Sequence, residues 1–379
     1  MKKIISLATL ALASSLCAAQ DTNASKVTLY GRFDVGVDYM TGVHNTIGGP
    51  ARSHWNTESS DWGASWLGLT GIEDLGGGNA AIFSLEQGLD LMNGTVAGAS
   101  AGTGTAFSRK ATVGFKSHDY GTVMVGRDLL MSNNQWEMDP LVDEQTSAAT
   151  LVRARNALIG NNLVQYQSPS VAGFDVLLQY APSEKTDRED PTMEGQYGRD
   201  RGIQVTYRAP GVVAMLQVND LNDEYGKLSN IFVSSRETFL GIVVNATPKL
   251  KLQTAWNHLT APGTAAGLAN RADQLHIGAR YQITPQLELS GGVFRVNVDG
   301  GGGGGDSTHD AAGHATLLGA GAMYHFTPLT FLYLTAAHVM NSGGSNFGTF
   351  VNSPGTDNVD NPAPGHSQSS LYAGIVTGF

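Results

Sequence analysis

The 379-residue chain carries 33 acidic and 23 basic residues, a net charge of −10 at pH 7, and one cysteine. This acidic balance argues against nucleic acid as a partner, because binding a phosphate backbone needs clustered lysines and arginines. Beyond the N-terminal segment no apolar run approaches the ~20 residues that a spanning helix needs, so a chain of this kind that crosses a membrane must cross as strands.

The N-terminus predicts a secretory signal peptide over residues 1–19. Two lysines precede an apolar run that ends at Leu16, and small residues follow up to Ala19, where we expect cleavage. Cys17 leaves a lipoprotein signal as the alternative, although Leu16 is too bulky for the residue before a lipidated cysteine. Cleavage would leave 21 basic and 33 acidic residues, a net charge of −12. Residues 20–379 are expected to form a single domain.

The rest of the chain shows sixteen segments with a two-residue apolar period. In the first segment, VTLYGRFDVGVDYM, apolar side chains occupy one face and Arg32, Asp34 and Asp38 occupy the other. Short turns rich in Gly, Pro or Ser alternate with long polar loops, which is the pattern of an outer-membrane barrel. The predicted strands are 27–40, 64–74, 79–90, 108–116, 121–127, 161–167, 173–180, 201–208, 211–220, 238–246, 249–258, 273–283, 286–298, 314–326, 329–340 and 369–379.

The pattern therefore predicts an all-β fold, a sixteen-stranded antiparallel transmembrane β-barrel. Both chain ends lie at the rim of short, periplasmic turns, and the last strand closes the sheet on the first. The predicted external loops are 41–63, 91–107, 128–160, 181–200, 221–237, 259–272, 299–313 and 341–368.

Several motifs together resemble the betaproteobacterial general porins, a trimeric sixteen-stranded family of the Gram-negative outer membrane. They are VTLYGRFDVGVD, LGLTGIEDLGGGNAAIFSLEQG, GTVMVGRD, NNLVQYQSPSVAGFDVLLQYAP and the terminal Phe379. The resemblance implies a homotrimer surrounded by outer-membrane lipids, which passes ions and small hydrophilic solutes by passive diffusion and needs no cofactor. It also implies that Phe379 is the assembly signal read by the barrel-assembly machinery.

The resemblance further implies that the third long loop, residues 128–160, folds into the lumen and faces a ladder of basic side chains. Strand parity points Arg32 and Lys110 inward, whereas Arg109 has the parity of apolar neighbours but lies near a strand end. Our candidate residues for the pore constriction are Arg32, Arg109, Lys110, Glu137, Asp139, Asp143, Arg153 and Arg155.

Two wall positions depart from the family pattern. Trp66 and Thr70 stand where the family commonly has an inward arginine and an inward lysine. This thinned basic ladder, together with the acidic net charge, predicts a weak cation preference, or at least the loss of an anion preference. Thr377 stands where the family usually has an aromatic residue or histidine, which weakens the expected assembly signal.

Other functions compete with that of a general porin. A substrate-selective channel for small organic acids or sugars would gain support from Trp66 and Trp136 facing the lumen. A barrel enzyme is disfavoured because the Gly-Ala-Ser-Ala-Gly string at 98–102 lacks the strand and helix of a nucleophile elbow. A metal at His309 and His314 would lack obvious further ligands. A soluble adhesin would leave the outward apolar residues without a lipid partner.

Overall fold

The computed structural model describes residues 25–44, 49–97, 106–142, 145–182, 199–355 and 360–379. The predicted signal peptide, Asp143 and the string at 98–102 lie outside these ranges. Among the described residues, no helix is long and apolar enough to cross a membrane.

The described chain forms eighteen strand segments, of which sixteen make the wall of the barrel. The segments are β1 (Lys26–Val43), β2 (Arg52–Ser59), β3 (Ser65–Gly76), β4 (Asn79–Asp90), β5 (Thr95–Ala97), β6 (Lys110–Ser117), β7 (Gly121–Leu129), β8 (Ile159–Gln167), β9 (Phe174–Ala181), β10 (Asp200–Ala209), β11 (Val212–Leu221), β12 (Arg236–Asn245), β13 (Leu250–Thr260), β14 (Arg271–Gln282), β15 (Leu287–Asp299), β16 (Gly313–His325), β17 (Thr330–Gly343) and β18 (Gln368–Gly378).

The remaining two segments, β2 and β5, lie in regions that the sequence assigned to loops. The C-terminal half of β1, on the side of the long loops, pairs with β2, and its N-terminal half pairs with β3. β2 and β3 therefore lie along the same edge of β1. In the same way, β5 and β6 both pair with β4. The prediction of loops over the whole of 41–63 and 91–107 was therefore wrong. β2 and β5 extend the wall beyond the membrane-spanning strands, on the side of the long loops.

The sheet closes on itself as the sequence predicted. β1 pairs antiparallel with β18 from Arg32 opposite Gly378 to Met40 opposite Ser370. At the rim of the short turns, the backbone N–H of Phe379 donates to the carbonyl of Gly31 at 3.2 Å, and the N–H of Gly31 donates to the carbonyl of Phe379 at 3.3 Å. Closure leaves no unpaired sheet edge, which a strand protein needs in lipid. The sixteen-stranded fold class is confirmed.

Alternate residues of each strand face opposite environments, and β14 is a clear example. Leu275 and Ile277 point outward and are 56% and 65% exposed, whereas Gln274 and His276 point inward and are almost fully buried. An apolar band on the outside of a closed barrel matches the hydrocarbon of a bilayer. A polar face on the inside suits water and a polar loop.

Replacing Ile277 by Lys should destabilise the barrel in lipid. Ile277 lies at the middle of β14, where a charge on the lipid face costs roughly 2–4 kcal/mol. The measurement is the free energy of unfolding of the protein in vesicles by denaturant titration. Tyr281→Lys, near the short-turn rim, is the control and should lower the free energy of unfolding by less than half as much. Equal costs at the two positions would contradict this assignment of the lipid-facing band.

Candidate pore constriction

The third long loop lies inside the barrel against the wall formed by β9 to β16. It contains a 3-10 helix, Met131–Met138, and one short α-helix, α1, Ala148–Leu151. Amide side chains of the wall hold its backbone. Gln179 accepts from the N–H of Met131 at 2.6 Å, and Gln253 donates to the carbonyls of Glu137 and Asp139 at 3.0 and 2.8 Å. These bonds satisfy loop backbone groups that have left water.

Glycines make room for the loop on the same wall. An added Cβ at Gly202 would lie 2.5 Å from Sδ of Met131, and one at Gly292 would lie 2.8 Å from Cγ of Pro140. Such approaches are closer than real Cβ contacts, so a side chain at these positions would displace the loop. The glycines beneath the loop are Gly202, Gly241, Gly278, Gly292 and Gly319, on β10, β12, β14, β15 and β16.

Two buried arginines anchor the returning half of the loop. Arg153 donates to Asp310 and Asn346 and lies 4.2 Å from the ring of Phe347. Arg155 donates to Ser235 at 3.1 Å and to Asn219 at 2.6 Å, and lies 3.7 Å from Glu237. Both side chains have no exposed surface. Removing either partner would leave a buried charge, so these pairs fix the position of the loop.

An apolar cluster adds to this anchorage. Leu141, Leu151 and Val152 of the loop pack with Phe232 of the external connection between β11 and β12 and with Phe294 of β15. The helix α1 that carries Leu151 begins with a capping box between Ser147 and Thr150. The loop is therefore held by a packed core inside the lumen, in addition to its hydrogen bonds.

The tip of the loop reaches the connection between β2 and β3. The N–H of Gln145 donates to the carbonyl of Asp61 at 3.1 Å, and its side chain donates to the carbonyl of Ser60 at 3.2 Å. Burial, together with the neighbouring carboxylates Asp38 and Asp34, raises the pKa of Asp61 to about 8. The tip of the loop thus reaches from the β9–β16 wall to the external connection between β2 and β3.

The wall at β4 and β6 carries a group of basic residues around the carboxylate of Glu86. Arg109 and Lys110 lie 3.3 and 3.9 Å from Glu86, and Lys110 lies 3.5 Å from Asp128. Arg32 donates to the carbonyl of Ala64 at 3.0 Å. Arg109 and Lys110 are matched by the carboxylates Glu86 and Asp128, and Arg32 adds a third cation to this stretch of wall.

A second charged group lies nearer the short-turn rim. Arg208 binds Glu137 of the loop through two hydrogen bonds of 2.6 and 2.7 Å, the geometry of a bidentate guanidinium–carboxylate pair. Lys251 lies directly opposite Arg280 across the β13–β14 pair, and Arg280 forms an ion pair with Glu288. The carboxylate of Glu137 is therefore neutralised by the wall on which it lies.

A family model described as "Gram-negative porin" matches residues 6–344. The chain belongs to the Gram-negative porin family. It is 33% identical to an outer membrane porin protein of Bordetella pertussis over 199 residues, 48% of each chain. It is 25% identical to the major outer membrane protein P.IB of Neisseria gonorrhoeae over 361 residues, 88% of this chain and 94% of the relative. The alignments span about half the length of the first curated relatives.

Solved structures of porins share the fold of this chain. An anion-selective porin from Comamonas acidovorans matches with a TM-score of 0.73 and 23% identity, over 94% of this chain and all of the other. The trimer form of OmpT from Vibrio cholerae matches with a TM-score of 0.62 and 14% identity, over 94% and 100% of the two chains. The predicted family and outer-membrane location are confirmed, and membership of a porin family decides against the barrel enzyme.

The structure brings only some of the candidate constriction residues of this porin together. Arg32, Arg109 and Lys110 lie on one stretch of wall, and Arg109 reaches Glu86 because it precedes β6 and escapes the strand alternation. Glu137 lies on the other side, in its pair with Arg208. Asp143 lies outside the described residues.

Three other candidates lie away from the lumen surface. Asp139 is 3% exposed and accepts hydrogen bonds from the N–H groups of Leu141 and Ala148 at 2.8 and 2.7 Å. Burial raises the pKa of its carboxyl. Arg153 and Arg155 anchor the loop instead of lining the pore, because each finds buried partners that sequence reasoning did not pair with it.

The two departures from the family pattern both lie on the inner face. Trp66 stands opposite Arg32 in the β1–β3 register, and its ring meets Tyr30 edge-on at 4.9 Å. Thr70 donates its hydroxyl to the carbonyl of Phe83 at 3.0 Å. An aromatic surface thus lies beside the wall cation Arg32.

Sequence reasoning missed the glycines and glutamines that seat the loop. Their signal was present as small or amide residues at inward positions near the middle of β10 to β16. From the sequence alone, these residues indicate no more than a water-filled lumen. Their role depends on which part of the chain lies above them.

Replacing Gly292 by Ala should lower the single-channel conductance of the porin. The new methyl group would push the rigid ring of Pro140 off the wall and into the lumen. Gly291→Ala is the matched control, because its Cβ points to the other face and meets its nearest atom at 3.3 Å. Equal conductance of the two variants in planar bilayers would contradict the seating of Pro140 on this wall.

Proposed function

We propose that this porin forms a water-filled channel for passive diffusion of ions and small hydrophilic solutes, with a weak preference for anions. The observation that carries the proposal is the position of the third loop. It covers the β9–β16 wall, the carboxylate of Glu137 in the loop is paired with Arg208, and the wall that carries Arg32, Arg109 and Lys110 is left beside the lumen. Charges in such a lumen act strongly because the surrounding wall has a low dielectric constant.

The proposed sign differs from the cation preference expected from the sequence. That expectation used the net charge and the two basic wall positions that Trp66 and Thr70 replace. In the described structure, Glu137 is neutralised by Arg208 and Asp139 is buried, so neither presents a free carboxylate to the lumen. Acidic residues on external loops act weakly across the pore, because salt screens them within ~8–10 Å.

The reversal potential under a KCl gradient tests this proposal. We expect the wild-type protein in planar bilayers to favour Cl⁻. The double variant R109Q/K110Q should shift toward K⁺, because Glu86 and Asp128 would lose their cations. E137Q should shift the other way, because it releases Arg208. Lys227→Gln, in the external connection 222–235, is the control and should change nothing. A wild-type preference for K⁺, or a double variant identical to wild type, would refute the proposal.

A substrate-selective channel for small organic acids is the second candidate. It is favoured by the aromatic rings of Tyr30 and Trp66 beside Arg32, since such a surface suits an anion with an apolar body. Benzoate should then block Cl⁻ current in the wild type more strongly than acetate does. Equal block by both, or unchanged block in Trp66→Ala, would remove this candidate.

We also propose that the porin is a homotrimer that the barrel-assembly machinery inserts through its terminal Phe379. Support comes from the trimer form of a structural neighbour and from the aromatic end of the last strand. On a denaturing gel, the unheated protein should run as a trimer and collapse to a monomer on boiling. A monomer band without heating would contradict the trimer but leave the barrel intact.

A further inference from the structure

The external connection between β2 and β3 folds inward and is held there by Asp34 of β1. Oδ2 of Asp34 accepts hydrogen bonds from the N–H groups of Trp62 and Gly63 at 2.7 and 2.9 Å. This fold brings the side chain of Asp61 against Gly36 of β1, where an added Cβ would lie 2.7 Å from Oδ2 of Asp61. The connection therefore buries a carboxyl group on the inner face of the wall.

The buried carboxyl group of Asp61 lies among other carboxylates. Asp61 is 6% exposed, and its Oδ2 has no hydrogen-bond partner among the described residues. The side chain of Asp38 is fully buried, neither of its oxygens has a hydrogen-bond partner there, and Nε2 of His54 lies 3.9 Å away. A buried carboxylate without a cation is more stable when it holds a proton. The titratable and charged groups around this connection are Arg32, Asp34 and Asp38 of β1, His54 and Glu58 of β2, Tyr333 of β17 and Tyr372 of β18.

Within this group, Asp61 is the residue placed to hold the proton. Asp34 has two N–H donors and the nearby charge of Arg32, and Asp38 faces His54. Burial and the negative charges of Asp38 and Asp34 instead raise the pKa of Asp61 to about 8. The described ranges contain no group of three or more Asp, Glu, His or Cys side chains that could hold a metal ion, so a proton is the neutralising species that we assign.

The backbone of the same connection holds the tip of the third loop. The two acceptors of Gln145 are the carbonyls of Ser60 and Asp61, at 3.2 and 3.1 Å. We propose that Asp61 and these two bonds form a proton-dependent latch on the loop. Loss of the proton to water drives the carboxylate of Asp61 away from Asp38 and toward solvent, which moves both carbonyls and releases Gln145. The latch rests on the proposed channel only in that ion current reports the position of the loop.

The direction of the pH dependence follows from the buried carboxyl group. The pKa of Asp61 in the latched state lies above its ordinary value, so the latched state is favoured at low pH and loses stability as the pH rises to about 8. Release of one proton should increase the ratio of unlatched to latched protein by up to about tenfold per pH unit. The increase should level off above about pH 8, where Asp61 is ionised in both states.

Single-channel records in planar bilayers between about pH 6 and about pH 9 test the latch. We expect the wild type to show a second current level whose occupancy rises with pH in this way. Asp61→Asn cannot ionise and should keep the low occupancy of the wild type at pH ~6 throughout. Asp38→Asn removes a like charge, so its occupancy should level off at a lower pH. Asp119→Asn is the matched control, because this carboxylate is 73% exposed beside a short turn, and it should follow the wild type.

Infrared spectra of the purified porin give a readout that does not depend on conduction. We expect a protonated carboxyl band at about pH 6 that is lost by about pH 9 and is absent from D61N. Occupancy that does not change with pH, a D61N variant that follows the wild type, or an infrared band that D61N retains would overturn the latch. A wild type that favours K⁺ but shows the pH-dependent level would refute the proposed anion preference and support the latch.

Discussion

Seating of the third loop on the inner wall is the interaction on which the rest of this porin depends. A loop inside a barrel must satisfy its backbone groups and must also leave a passage. Here, wall amides such as Gln179 and Gln253 supply hydrogen bonds, each worth about 0.5–1.5 kcal/mol net. Glycines such as Gly292 let the loop lie flat. The same strand positions would hold large or charged side chains in an unobstructed lumen.

The seating also decides which charges can act on a permeating ion. Arg153 and Arg155, which the sequence suggests as pore cations, serve to hold the loop and are removed from the lumen with their partners. Glu137 forms an ion pair with Arg208 of the wall. The charges that remain beside the lumen include the group around Glu86 on the opposite wall and Lys251 beside the Arg280–Glu288 pair. The charge of the constriction therefore follows from packing, and the net charge of the chain is a poor guide to it.

The fold was predictable because its signal is local. A period of two residues, short turns and a terminal strand such as SSLYAGIVTGF each occupy a few consecutive positions, and the structure confirms the barrel that they predict. The segment Arg52–Ser59 was missed because its polar residues do not alternate. The site was harder, since its contacts are distant. The Arg153–Asp310 pair joins residues 157 positions apart, and nothing near Arg153 indicates that partner.

A disulfide between the loop and the wall tests the seating most directly. The sequence after residue 17 contains no cysteine, so the double variant Leu141→Cys/Gly319→Cys introduces an isolated pair. Gly319 lies beneath the side chain of Leu141, with an added Cβ 3.7 Å from Cγ of that leucine, the atom whose place the Sγ of a cysteine at position 141 would take. We expect the bridge to form during export and the single-channel conductance to be the same before and after reduction. Free thiols in the folded protein, or a conductance that changes on reduction, would contradict a loop held against this wall.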